Sequence, residues 1–536
     1  MSQAEFINQS TAQALGLDVI WRRLETVTPF GRPRPIDVFG PDEASALEAE
    51  WQQVERVQQI WQTHGGALHR LRHILQRAKD IRHSLERAEH GLTLDVVELF
   101  EIKRFLGVLE EVSHYAQVDM WPVSGDLVPP YPDALACALD PGGRKDPSFY
   151  IDASFSGALR RIRTLKRRLT NRIDKEKKRL HREVERELGM PLGLEGELVV
   201  SRGDEREQAA FQLPQLVLEK ETSSHSFFRV RPRQAVLSWQ GRLERLTGWE
   251  QDIEHGVRQG LSREVARAAP VLRQGTESLG RLDILLAKAL LSHQWQGVRP
   301  RLATAGLCVA KGRHPLVEED VSQQGHDYTP VSLTMLPGVT LITGPNMGGK
   351  TKTLETVGLL VALAQHGFMV PAAAMTFSPR RFVFYQAGDS TVPSGLSAFA
   401  QELEATKSLL DRRWEPGLAL IDEFARSTNP AEGRALAAAL AAELGDSELL
   451  TLFVTHYEGL APMSGAHQYQ VRGLAGMALF PGAEGLDSLY RYMDYRLERV
   501  DANTPVPHHA LEIGRMLGLD ARLLERARAF LREEER

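Results

Sequence analysis

TGPNMGGKTKT, Thr343 to Thr353, decides how the rest of the chain is read. Gly344-Pro345-Asn346-Met347-Gly348-Gly349-Lys350-Thr351 fits G-x-x-x-x-G-K-[ST], with Lys352 following directly. An apolar run, VTLIT, precedes the stretch and a helix-forming run, TLETVGLLVALAQHG, follows it. Strand, glycine loop, helix is the context a phosphate cradle requires. Glycines let backbone N–H groups turn inward around phosphate oxygens. The following helix N-terminus adds partial positive charge. Lys350 can reach β and γ phosphates, and Thr351 can ligate Mg²⁺.

Outward from this loop, from about Arg299, short apolar runs (VTLIT, FVFYQ, LALID, LTLFVT) alternate with helix-forming segments. That alternation predicts an α/β domain with a largely parallel sheet, of the P-loop NTPase type. The strand LALID ends in Asp422-Glu423, where Asp422 can hold the shell of a Mg²⁺ ion and Glu423 can polarise water. An acidic pair opening a surface loop is the alternative. LLTLFVTHYEGL ends in Thr455-His456, and a histidine at that place can sense a γ-phosphate or steady a water; a core histidine is the plainer reading. Between them, Ser394-Gly395-Leu396-Ser397 opens an amphipathic helix, a second anion-binding helix start. One nucleotide needs one main cradle, so the second suits a nucleotide held by another subunit and points to a dimer with composite sites.

The half before Arg299 reads differently. Helical spacing dominates residues 10–115, and the Pro/Gly-rich stretch 121–147 reads as a connector. From Ala158 to Gly189 the residues Leu159, Ile162, Leu165, Leu169, Ile173, Leu180, Val184 and Leu188 form one stripe of a long helix crowded elsewhere with Arg and Lys. It is either a solvated arm or a basic rod that neutralises nucleic-acid phosphates, with Arg160, Arg163, Lys166, Arg167, Arg168 and Arg172 as the candidate contacts. GELVVSRG and PQLVLEK, within 196–231, carry strand signals, and 235–293 return to helix. The expected organisation is a helical part, 1–298, with a basic arm at about 155–190 and a strand-rich tip at about 196–231, then an α/β part, 299–536, with one or two closing helices.

The bulk numbers bound these readings. At 536 residues the chain is too long for one ordinary core. Its 42% hydrophobic and 25% charged residues suit a globular protein, and a net charge of −5 excludes a basic coat. Two distant cysteines, Cys137 and Cys308, match no metal spacing and fit a reducing cytoplasm. The N-terminus has no signal-peptide pattern, and no apolar run approaches the ~20 residues a membrane span needs.

Taken together, RHP (Arg313 to Pro315), TGPNMGGKT, SGLSAF, LIDEFARSTNPAEG and VTHY resemble the MutS family of ABC-type ATPases in order and spacing, over about 300–536. GKTKTLETVGLLVALAQHGFMVPA and STNPAEGRALA are similar to the paralogues that lack a mismatch reader and end in an Smr nuclease domain. ALGLDVIWRRLETVTPFGR, LDPGGRKDPSF and LGRLDILLAKALL resemble that group's core domain more loosely. The resemblance implies that Lys350 and Thr351 bind phosphate and Mg²⁺, Asp422 is the Walker B acid, Glu423 the catalytic glutamate and His456 the switch histidine. It implies that Ser397 meets a γ-phosphate across a dimer and that Tyr328 stacks on adenine. It leads to an expectation of neither a mismatch-reading domain nor an Smr nuclease. FARSTN also departs from the family's more Gly-rich loop after the Walker B pair. Two functions follow: a dimeric, cytoplasmic ATPase that clamps DNA without sequence preference, in mismatch repair or recombination, or a remodelling ATPase for a B12-dependent aminomutase. The intact Lys350, Asp422, Glu423 and His456 argue against an inactive scaffold.

Overall fold

The computed structural model describes residues 6–31, 37–116, 125–143, 149–193, 195–345, 348–387, 398–426, 428–457, 459–460, 466–474, 493–501, 510–516 and 518–534. Asn346, Met347 and the turn Ser394 to Ser397 lie outside them. The chain divides into two compact units, residues 1–76, 114–128 and 277–536, and residues 77–113 and 129–276. This spatial division is drawn differently from the sequence division at 298/299, because the first helices pack with the α/β part.

The first unit begins with α1 (Gln9–Ala14), α2 (Leu17–Arg23) and α3 (Ala44–Gln76), the last interrupted at His64 by a non-helical φ/ψ just before Gly65-Gly66. The second unit holds α4 (Arg82–Glu89), most of α5 (Val96–Ala116), α6 (Asp133–Leu139) and α7 (Gly157–Leu188). The stretch 121–147 is thus more than a connector: α6 forms within it, burying Leu135 and Leu139. Helix α7 starts where Ser156 accepts from Ala158 N and Leu159 N, and stops at Gly189, whose φ of +65° is the left-handed C-cap glycine adopts without strain.

At the far end of α7, β1 (Glu197–Ser201), α8 (Glu205–Gln212), β2 (Leu216–Glu221) and β3 (His225–Val230) form a three-stranded antiparallel sheet in the order β1-β3-β2. Leu180, Val184 and Leu188 of α7 bury against Leu198, Val200, Phe228 and Val230. The expected strand-rich tip is therefore a three-stranded sheet whose core is shared with the end of α7. The returning helix, α9 (Gln234–Gln294), is 61 residues long, has Pro270 within it, and passes from the second unit into the first after Thr276. It runs antiparallel to α7. Arg163 reaches Glu250 and Glu254 at 2.7 and 2.6 Å, Arg172 lies over the Trp239 ring at 4.3 Å, and Arg233 pairs with Glu176 at 2.6 Å. The partners move backwards along α9 as one moves forwards along α7.

In the first unit, β4 (Arg301–Leu302), β5 (Leu307–Gly312), β6 (Val331–Met335) and β8 (Ala374–Phe377) form a four-stranded sheet in the order β4-β8-β5-β6. Helix α10 (Pro315–Gln323) leaves β5 just after Arg313-His314. The larger sheet has six strands, in the order β13-β12-β7-β11-β10-β9. These are β7 (Gly338–Thr343), β9 (Phe382–Gln386), β10 (Gly417–Asp422), β11 (Leu450–Val454), β12 (His467–Leu474) and β13 (Met493–Val500). All pairings are parallel except β12 with β13. Every residue of β7, β10 and β11 is buried, as a parallel sheet covered on both faces requires.

Helix α11 (Lys350–Gln365) covers one face, packing on β10, β11 and β5, and is buried along nearly its whole length. That explains its near-continuous apolar sequence, in place of the amphipathic period of a surface helix. Helices α12 (Ala398–Asp411) and α13 (Pro430–Gly445) lie with the other face, where Leu341, Ile421, Phe424, Ala437, Ala441, Leu444 and Phe453 share one core. Two last helices, α14 (Ala510–Met516) and α15 (Ala521–Glu534), pack together. Residues near the N-terminus join this unit directly: Ile7 bridges Val383 in parallel, and Leu15 touches Gly358 of α11 so closely that a side chain at 358 would collide with it. No described helix is long and apolar enough to cross a membrane.

Candidate functional site

Parallel pairing sets β7, β11, β10 and β9 side by side with their C-terminal ends along one edge, where ligands bind in open α/β sheets. The register aligns Val454 with Ile342, Asp422 with Val454, and Gln386 with Ile421. The glycine loop, the Asp422-Glu423 pair and Thr455-His456 therefore leave the sheet at one level. Strand order brings segments 343–345 and 348–353 beside 422–423 and 455–456.

At the two described ends of the loop the backbone is one that glycine adopts readily. Gly344 has φ +140° and Gly349 φ +75°, conformations that favour glycine. A Cβ on Gly348 would lie 2.9 Å from the Pro345 carbonyl oxygen. Lys350 begins α11 and is almost fully buried; its Nζ donates to the carbonyl oxygens of Gly344 and Pro345 at 2.9 and 3.0 Å. Burial lowers the Lys350 ammonium below the ordinary lysine value, while Glu423 and Asp422 oppose that shift. Lys352 is exposed and pairs with Glu355 at 2.6 Å.

Thr351 Oγ1 donates to Asp422 Oδ2 at 2.7 Å, and Asp422 Oδ1 is buried with no partner among the described residues. Burial raises the Asp422 carboxyl above the usual aspartate range, opposed by the Thr351 hydroxyl and Lys350 and reinforced by Glu423. A buried carboxylate with a free oxygen beside a threonine hydroxyl is an incomplete oxygen donor set for a hard cation, and Mg²⁺ fits it.

Glu423 and Ala425 are non-glycine residues with φ +51° and +61°. Each such residue costs about 1–2 kcal/mol in the left-handed region, so the turn 422–426 stores strain that its surroundings must hold. Glu423 N donates to Val454 O at 3.0 Å, Ala425 N to Glu402 Oε1 at 3.0 Å, and Tyr457 Oη to Ala425 O at 3.1 Å. The Glu423 carboxylate itself pairs with Arg426 at 2.9 Å. Burial pushes the His456 imidazole below its usual value, opposed by Glu423 and reinforced by Arg426 and Lys350. Its ring lies 4.2 Å from that of Tyr457, centroid to centroid.

Tyr328 is half-buried, and its hydroxyl accepts from His314 N at 3.0 Å, which ties it to the Arg313-His314 segment. His314 is buried with both ring nitrogens unpartnered among the described residues, and burial lowers its pKa to about 4. Ser397, Asn346 and Met347 lie outside the described residues. Glu402 reads in the sequence as the polar side of an amphipathic helix, and Tyr457 is there only the last residue of VTHY, with no role assigned to it.

The six arm residues divide. Arg163 is bound to Glu250 and Glu254, and Lys166 to Glu250 at 2.5 Å. Arg172 stacks on Trp239 yet remains exposed. Arg160, Arg167 and Arg168 are exposed and have no ion-pair partner among the described residues. A further row, Arg161, Arg168, Arg172, Lys175, Arg179, Arg182 and Arg186, recurs every three, four or seven residues on the side of α7 opposite its buried stripe, and all seven are exposed.

The glycine loop and the acid pair thus leave an α/β sheet along one edge, and residues 340–533 match the family described as MutS domain V, its ATPase domain. That match, together with the relatives below, supports a MutS-family ATPase. It is similar to proteins named endonuclease MutS2. That of Geobacillus thermodenitrificans is 34% identical over 296 residues, 53% of this chain and 35% of the relative. That of Geobacillus sp. (strain WCH70) is 26% identical over 479 residues, covering 85% and 57%. That of Pelotomaculum thermopropionicum is 29% identical over 478 residues, covering 85% and 56%. The chain spans about a third to somewhat over half the length of these relatives.

Proposed function

We propose that the chain hydrolyses ATP to ADP and phosphate and uses the cycle, as a dimer, to close its helical arms on DNA. The observation that carries the first half is the Asp422 carboxylate, bonded through Oδ2 to Thr351 with Oδ1 left free, beside a buried Lys350 that satisfies itself on loop carbonyls. Lys350 holds bonds it can exchange for the oxygens of a β or γ phosphate. Backbone N–H groups of Gly348 to Thr351 supply the rest of the cradle. Thr351 and Asp422 would hold Mg²⁺, which when bound neutralises charge on the phosphates. Glu423 accepts the proton of the attacking water, and His456 orients that water or reads the γ-phosphate. In the present arrangement Arg426 occupies the Glu423 carboxylate, so the base must be freed or shared before it acts. Tyr328 would face the adenine, and Ser397 would complete the site of a second subunit. The domain scheme 1–298 and 299–536, with closing helices α14 and α15 at the dimer contact, belongs to the same reading, as does a cytoplasmic location.

The DNA half is supported by the row of exposed cations on α7. A helix that commits Arg163 and Lys166 to its partner helix, stacks Arg172 on Trp239 and pairs Arg179 with Glu183 still presents Arg161, Arg168, Lys175, Arg182 and Arg186 outward with no ion-pair partner among the described residues, a surface suited to phosphates regardless of base sequence. The relatives' name, endonuclease MutS2, belongs to DNA chemistry, and nothing in the fold or the comparisons favours the aminomutase reading. The test is ATPase turnover with and without duplex and branched DNA, alongside binding at several salt concentrations. Stimulated turnover and binding that weakens steeply with salt are expected; turnover without any response to DNA and flat binding curves would remove the DNA half.

A further inference from the structure

We infer that Glu402 of α12 and the Tyr457 hydroxyl are positioning residues that hold the turn Asp422 to Arg426 and thereby aim the Glu423 carboxylate; this rests on the reading of Glu423 as the base. Ala425 lies in the left-handed region two residues after Glu423, itself left-handed, and neither is glycine. A run of this kind persists only where neighbours over-determine it. The neighbours are identifiable. The Ala425 N–H is taken by Glu402 Oε1 at 3.0 Å and the Ala425 carbonyl by Tyr457 Oη at 3.1 Å. Both backbone groups of that residue are thus satisfied by side chains from other elements, one before the turn in sequence and one after it.

The two side chains are themselves held. Glu402 is half-buried on α12, and Thr406, one turn later, donates to its Glu402 carbonyl and to Gln386 Oε1 at the end of β9. Tyr457 N donates to Thr455 Oγ1 at 3.0 Å, and the Tyr457 ring lies against His456. Gly433, in the first turn of α13, leaves the space the Tyr457 hydroxyl fills, since a side chain there would collide with that hydroxyl and with Ala425 O. Glu402 therefore links β9 and α12 to the turn, and Tyr457 links the His456 segment to it. Neither touches a reacting atom; both act through the aim of Glu423.

The experiment compares full-length Glu402→Ala, Glu402→Gln, Tyr457→Phe and Glu423→Gln with wild type, measuring kcat, KM for Mg-ATP and the thermal unfolding midpoint. Glu402→Ala should lower kcat by roughly ten- to a hundredfold with KM within about twofold, as loss of alignment does. Glu402→Gln keeps an oxygen acceptor for Ala425 N–H and should recover most of that loss. Tyr457→Phe keeps the ring and should lower kcat several-fold at unchanged KM. Wild-type kcat in both Glu402→Ala and Tyr457→Phe, or no rescue by Glu402→Gln, overturns the inference. If Glu402→Ala does not fold, Tyr457→Phe decides alone. Glu423→Gln separates the two levels: if it is inactive while Glu402→Ala and Tyr457→Phe are not, only the positioning role falls; if it turns over normally, the reading of the base falls.

Discussion

Gly433→Ala puts one methyl group where the turn after β10 can least accept it. The added carbon would lie well inside contact distance of the Tyr457 hydroxyl and 2.7 Å from the Ala425 carbonyl oxygen. Backbone cannot yield cheaply there, because Gly433 N is bonded to Asn429 O at 2.8 Å in the first turn of α13. Overpacking of this size costs about 1–3 kcal/mol. Displacing Tyr457 from Ala425 O costs a further ~1 kcal/mol, and the better helix propensity of alanine returns up to ~1 kcal/mol. The net is a loss of about 1–3 kcal/mol. Denaturant titration of the ATPase part should show it as an earlier midpoint at unchanged slope. Steady-state turnover should fall about tenfold or more, because the displaced turn carries Glu423. A variant with wild-type midpoint and wild-type kcat would refute the claim that this turn is tightly packed and catalytically coupled.

Other outcomes follow from the same geometry. Thr351→Val removes the bond to Asp422 and leaves a buried carboxylate with neither oxygen satisfied; stability should fall by about 1–3 kcal/mol and Mg-dependent turnover should be lost, which denaturation and phosphate-release assays check. His366 is fully buried against Phe6 and Trp21, and burial lowers its pKa to about 4 from 6.5. The unfolded chain then binds the proton first on acidification, so the stability present above pH 6.5 is lost as pH falls toward 4. Between pH 7.5 and 5.0 this residue should account for about 2 kcal/mol, visible as a shallower pH dependence of unfolding in His366→Phe. On the arm, Arg168→Gln with Arg179→Gln should weaken DNA binding and flatten its salt dependence, whereas Arg163→Gln should loosen the α7–α9 pair with little change in that slope.

The glycine loop, the acid pair and the histidine were legible because each sits where an apolar run stops, and strand ends are where chemistry collects in a parallel sheet. The bounds of α7 were legible too, from its apolar period and from Gly189. What the sequence could not show were partners. The period of residues 10–23 says which face is buried, not that Leu15 meets Gly358 or that Ile7 extends the sheet beside Val383. Asp283 stands in an apolar run, RLDILLAK, with no local reason; it accepts from Val27 N, Thr28 N and Thr28 Oγ1, more than 250 residues away. Arg163 and Lys166 count as free cations in a sequence and are paired with Glu250 in the fold. Glu402 belongs to the same class: its one bond to Ala425 needs two elements placed by the whole sheet.

In the proposed cycle, nucleotide is clamped between two copies of the α/β part and cleaved there with Glu423 as base. The most direct measurement is sedimentation of Glu423→Gln, with and without Mg-ATP, beside its phosphate-release rate. A dimer that appears with Mg-ATP, retains it and releases almost no phosphate is the predicted result. A monomer at saturating Mg-ATP, or turnover equal to wild type, would contradict it.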